Sequence, residues 1–264
     1  MHIRRDIKMD RRRRNTFLLS DMKRAFSGWE LWIAIIALTT ILLHGVVTYT
    51  NLAKGASSTY VYIVNAMALS GFGPFAAVFP ALGYGAAFCE EYYSGYFLLM
   101  RSRMNWKRYA GIRLITVAVS GGTIMAIPFT VVCLFGYIQG KHGVPTDGFM
   151  EGTQMVSYLE RYGDGAVIAL KILLGFLFGA MFALISYAFA IFSTNRYMAM
   201  IAPFVLYEAM WFVLYDYPVV NPIYLFRGDD LDSYPLSIAM ECLYISIVAV
   251  VCWLGIKRKV TYEE

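Results

Sequence analysis

The chain has 264 residues, of which 59% are hydrophobic and 16% charged, with a formal net charge of +5. A soluble domain averages about 45–50% apolar and about 25% charged residues, and here the apolar excess falls in long runs, the signature of membrane spans. Spans and short loops consume nearly the whole chain, which leaves no room for a soluble catalytic domain.

The positive charge is not a nucleic-acid patch. Nine of the 23 Lys and Arg lie before residue 25, ahead of the first span, where they act as an orientation signal. Residues 1–15 form a basic tail. Arg11 to Arg14 faintly resemble a twin-arginine signal, but the spacing is off and the next apolar run has full spanning length. From Phe17 the pattern turns helical. Phe17, Leu18, Met22, Ala25, Phe26 and Trp29 fall on one face; Ser20, Asp21, Lys23, Arg24 and Ser27 are assigned to the other. This predicts an amphipathic helix lying at the membrane interface.

Six spans follow, at about 31–49, 67–89, 111–137, 166–192, 197–215 and 236–256. Trp29 and Trp32 suit the headgroup belt at the start of span one. Span two, with a possible helical lead from Tyr60, holds Gly71, Gly73, Pro74, Pro80, Gly83 and Gly85, residues that permit close packing or a break. Span four holds Gly175-xxx-Gly179, which permits close helix contact. The longest outer loop, 138–165, carries turn residues Gly140, Gly143 and Pro145. Met155, Val156, Leu159 and Tyr162 then suggest a short amphipathic helix. In the loop 217–235, Ile223-Tyr224-Leu225-Phe226 lies among prolines and reads either as a re-entrant piece or as a plain loop with apolar anchors.

With both termini inside, eighteen of the 23 basic residues are cytoplasmic. The expected architecture is therefore an all-α membrane protein, N-in and C-in. It comprises a tail and interfacial helix (1–28), a six-helix transmembrane domain (29–256) and a cytoplasmic tail (257–264).

Motifs for chemistry are missing. The three histidines, His2, His44 and His142, are scattered, and the four cysteines have no CxxC spacing, so no metal site is expected. There is no GxSxG and no GxxxxGK[ST]. Glu90-Glu91 resembles the paired glutamates of prenyl-protein proteases, but Gly95 stands where they need Arg, and no His follows residue 142. Three ionisable residues lie within spans. Lys171 and Glu241 are near enough to span ends to snorkel outward. Glu208 is deeper and is the candidate for a pathway or subunit seam, set against a local structural pair.

The segment 88–113 is the one interruption that mixes acid, apolar stripe and base. Glu90 and Glu91 follow span two. A helix continued from Tyr92 to Met100 would align Tyr93, Tyr96, Phe97 and Met100, and Ser102-Arg103 and Asn105-Trp106 would turn the chain back. Positive-inside loops explain Arg101, Arg103, Lys107, Arg108 and Arg113, but not the acids or the aromatic stripe.

Here the chain resembles the permease subunits of type-two ABC exporters. The matching residues are Glu90 or Glu91, Gly95, Phe97-Leu98-Leu99, Ser102-Arg103 and Tyr109, together with the six-span layout and the interfacial helix. The local motif covers about 20 residues. The resemblance implies that this segment is a coupling helix docking on a separate ATPase, through Glu90, Glu91, Tyr93, Gly95, Tyr96, Phe97, Arg101, Arg103 and Trp106. It implies ATP and Mg on that partner and no cofactor or catalytic residue on this chain. It also implies a second permease copy or homologue, an exported substrate, and a multi-pass location in a cell membrane, a bacterial plasma membrane. The developed 138–165 loop departs from the family pattern. An ion-driven secondary transporter and a six-span membrane enzyme are the alternatives; the first needs intramembrane acids and an internal repeat, the second a cluster of Glu, His, Ser or Asp around one cavity.

Overall fold

A computed structural model describes residues 17–52, 58–142, 154–227 and 233–262. Among them the fold is helical, and extended pairing is confined to an isolated bridge between Ser58 and Lys141. Helix α1 covers 17–27 and α2 Trp29–Leu52. Next come α3 (Thr59–Leu69), a 3₁₀ turn (Gly73–Phe75), a single turn α4 (Val78–Pro80) and a π-helical turn (Ala81–Gly85). Two short helices, α5 (Ala87–Tyr93) and α6 (Tyr96–Arg103), lead into α7 (Trp106–Gln139). The second half is α8 (Gln154–Ser193), α9 (Arg196–Val213), α10 (Pro222–Arg227) and α11 (Tyr234–Tyr262).

Four described helices are long and apolar enough to cross a membrane: α2, α7, the stretch Val156–Ser193 of α8, and Tyr234–Thr261 of α11. This is a membrane protein of all-α class. A fifth crossing exists if Thr59–Leu69 and Gly73–Tyr93, bent by 73°, make one broken span. Six full spans were expected. Helix α9 is not among the four: it has only 18 residues, and Arg196 and Glu208 dilute its apolarity.

Lipid is as apolar as leucine, so helices here pack through shape rather than through expulsion of water. The α7–α8 pair forms the centre. At Gly121 an added Cβ would sit 2.6 Å from the Gly179 carbonyl oxygen, so only glycine permits the two backbones to touch. The Gly175-xxx-Gly179 motif thus serves contact within the chain, with Phe129 of α7 lying against Gly175. Around this seam Phe72, Phe129, Phe178, Phe182, Tyr207 and Phe226 interlock, with Phe178 and Phe226 ring centroids 4.8 Å apart.

Several local expectations change. The turn residues of span two do break it: the chain bends between Leu69 and Gly73, with Gly71 at φ +68°. The segment 222–227 is a short helix whose Pro222, Ile223, Leu225 and Phe226 are buried, so its apolar residues plug the aromatic core. The helix expected near Met155–Tyr162 is present as the start of α8, set off by a break at Gly163 (φ +76°), and Leu159 on it is buried. The tail 1–16, the loop tips 143–153 and 228–232, and residues 263–264 lie outside the described residues.

Candidate functional site

Segment 88–113 does not form the continuous helix expected from Tyr92 to Met100. It breaks at Ser94-Gly95, where Gly95 takes a left-handed φ of +69°. A residue with a Cβ resists that conformation, and the two short helices α5 and α6 result. The break also splits the aromatic stripe. Phe97 and Met100 turn inward, with the Phe97 ring 5.4 Å from Phe88 and 5.7 Å from Tyr109. Tyr93, Leu98, Leu99, Ser102 and Arg103 are exposed; Tyr96 is half-buried under Arg24, 5.3 Å from its guanidinium. Trp106 starts α7, capped by Asn105, and packs 5.4 Å from Trp253 of α11. The Arg101 side chain lies outside the described residues.

The two glutamates part company. Glu90 is exposed and pairs with Arg196 Nη1 at 3.0 Å; the other side of that guanidinium pairs with Glu30. Glu91 is fully buried and is no surface contact. Its Oε1 receives Arg24 Nη1 at 2.5 Å and pairs with Arg113 Nη2, and its Oε2 accepts from Tyr109 Oη at 2.6 Å. Arg113, also fully buried, reaches across to Asp21 Oδ1 at 2.5 Å and donates to Tyr84 Oη. Tyr84 in turn donates to Asp21 Oδ1 at 3.1 Å. The Arg113 guanidinium lies 5.1 Å from the Tyr84 ring centroid and 5.5 Å from that of Tyr109.

Two acids and two bases therefore balance in one cluster, built from α1, the π-helical turn, α5 and α7. A buried ion pair gains little over an apolar pair, but removing one member strands the other charge. The cluster's consequence is positional: α1, the exposed α5–α6 element and the start of α7 move as one piece or not at all.

No family model, curated protein or solved structure matches the chain. The cluster is thus read from its geometry alone.

Asp21, Tyr84, Tyr109 and Arg113 were not among the expected site residues, except Tyr109 as part of the family-like motif. Asp21 was assigned to the polar face of α1, yet it is only 4% exposed. The signal was present: Asp21 lies four residues after Phe17 and four before Ala25, on the apolar stripe itself.

The intramembrane ionisable residues also differ from expectation. Lys171 and Glu241 do not snorkel outward: they are 4% and 0% exposed. Lys171 Nζ donates to the carbonyl of Arg227 and lies 5.7 Å from the Tyr60 ring centroid. Both carboxyl oxygens of Glu241 are without a hydrogen-bond partner among the described residues. Glu208 is half-buried in α9, one oxygen likewise unpaired, beside Tyr207, whose hydroxyl donates to Gly73 O at 2.9 Å across the helix break. Among the described residues no group of three or more His, Cys, Asp or Glu could hold a metal.

Proposed function

We propose that the chain is the membrane-spanning permease subunit of an ATP-driven exporter, coupled to a separate ATPase. The observation that carries this reading is the α5–α6 element. It exposes Tyr93, Leu98, Leu99 and Arg103, while Glu91 at its root is paired with Arg113 and through it linked to Asp21. An exposed apolar and basic knuckle fixed to the ends of several helices suits a part that receives force from a partner. A mobile loop would dissipate it.

In this reading α2, the broken span, α7, α8, α9 and α11 make six crossings, N-in and C-in, which agrees with the distribution of basic residues. The docking surface is Tyr93, Leu98, Leu99, Ser102 and Arg103, with Glu90 at its margin; Glu91, Tyr96 and Phe97 support it from below. ATP and Mg are bound by the partner. Two permease chains flank the pathway, in the plasma membrane of a bacterial cell.

Co-purification tests the proposal. A tagged chain extracted in mild detergent is expected to bring down an ABC ATPase. No such partner, together with transport that survives ATP depletion, sinks it. The carboxyl group of Glu241, buried without a hydrogen-bond partner among the described residues, favours a second reading, an ion-driven transporter. That reading requires transport to follow an imposed ion gradient without ATP, and to fail in Glu241→Gln.

A further inference from the structure

Far from the charged cluster, a cavity of about 200 Å³ opens where α3 breaks. From Arg113 to Phe129, which lines it, α7 rises about 24 Å. Its walls come from α3, the Gly71–Pro74 break, α7, α8, α9 and α10, and its large side chains are Phe72, Phe129, Trp211 and Phe226. Two cations, Lys171 and Arg227, also line it, and among the described residues no lining residue is an acid. Lys171 is held at this wall, out of water, by the Arg227 carbonyl and the Tyr60 ring. Arg227 is exposed, and its guanidinium makes no hydrogen bond or ion pair with a described residue. On either side of the break, Leu69 and Phe75 are 41% and 55% exposed on the outer apolar surface.

Each kind of wall selects against one kind of ligand. A small water-soluble anion would leave the aromatic wall uncovered, and a neutral hydrocarbon would leave the guanidinium unused. We propose that this cavity binds a single-chain anionic amphiphile, with its chain along Phe72, Phe129 and Phe226 and its head against Arg227. The break in α3 gives such a molecule its way in from the bilayer, since a continuous helix would close that wall. The proposal does not depend on the exporter reading: the cavity is built by this chain alone.

Trp211 supplies the assay. The full chain in nanodiscs of zwitterionic lipid is titrated with 9,10-dibromostearate, whose bromines quench nearby tryptophan, and with the dibrominated alcohol of equal length. A saturable quenching component is expected in the unaltered chain and is absent in Trp211→Phe. Arg227→Gln raises the half-saturating concentration of the acid about tenfold and leaves that of the alcohol unchanged. Gly73→Leu abolishes saturation by both, because a Cβ there meets nothing within 4 Å and the larger side chain can occupy the cavity. Displacement of the probe by a lysophosphatidylglycerol rather than by palmitate identifies a phosphate head, and the reverse order a carboxylate head. Absence of a saturable component, equal half-saturation of acid and alcohol, or indifference to Arg227→Gln overturns the proposal. Neither ATP nor transport enters the measurement, so the exporter reading can fail without affecting it.

Discussion

Adjacent glutamates at the end of one helix have opposite fates, and a single residue of phase decides them. Glu91 follows Ala87 by four residues and Phe88 by three, all on the buried face of α5, so it must find partners inside. Glu90 points outward to Arg196. Reversing the two charges therefore gives different results. Glu91→Lys puts a cation against Arg24 and Arg113 in a closed site; a loss of about 3–5 kcal/mol is expected, read as a lower melting temperature and poor recovery from detergent. Arg113→Met, which strands Asp21 and leaves Glu91 with Arg24 as its one base, is expected to cost a similar amount, about 3–5 kcal/mol. The double variant Asp21→Asn with Arg113→Met should recover part of that loss, since it leaves fewer unmatched charges. Glu90→Lys should leave melting within about 1 kcal/mol of the unaltered protein, because its pair with Arg196 is half-exposed. Under the exporter reading it should still weaken ATPase association; unchanged association and stimulation would remove Glu90 from the docking margin.

Helices were the most legible elements, because long apolar runs have one stable form in lipid. The runs over α2, α7, α8 and α11 could be read directly, and so could the helix of α1. The break in span two was foreshadowed by Gly71, Gly73 and Pro74, but its 73° bend depends on what α7 and α10 place beside it. The split at Gly95 escaped the periodicity of Tyr93, Tyr96, Phe97 and Met100, since that spacing is helical on both sides of one left-handed residue. Gly95→Val tests it. The positive φ makes a β-branched side chain cost about 1–2 kcal/mol, and the expected outcome is weaker docking of α6 seen as faster proteolysis after Arg101 or Arg103. The charged cluster was half legible. Asp21, Glu91 and Arg113 sit at buried phases of their own helices while Arg24 lies at the edge, but which acid meets which base is set by tertiary contact between residues 22 to 92 positions apart. At the α7–α8 seam, Gly121→Leu should separate the helices and lower the melting temperature more than any surface substitution. An unchanged melt would mean that the two backbones do not touch.

At the scale of the whole molecule, a balanced charge cluster and a cationic apolar cavity lie near opposite ends of α7. One joins two acids to two bases through a buried arginine; the other lies beside a broken helix. Glu241 stands apart from both; its buried carboxyl group has no hydrogen-bond partner among the described residues, and Glu241→Gln should raise thermal stability or leave it unchanged. A lower melting temperature would show that the carboxyl group has a partner after all. The 92-position separation of Asp21 and Arg113 also imposes a calendar on biogenesis. While the ribosome has delivered only α1 to α6, Asp21 has no Arg113 to meet, and the charges hold α1 only through the part-buried Arg24–Glu91 pair. The second long apolar helix, α7, brings the missing cation in its first turns. Stalled chains ending at residue 105 should therefore leave the thiol of Ala25→Cys open to a water-soluble maleimide, and chains ending at residue 150 should protect it. Assembly of the amino-terminal half, on this schedule, is a wait for one arginine.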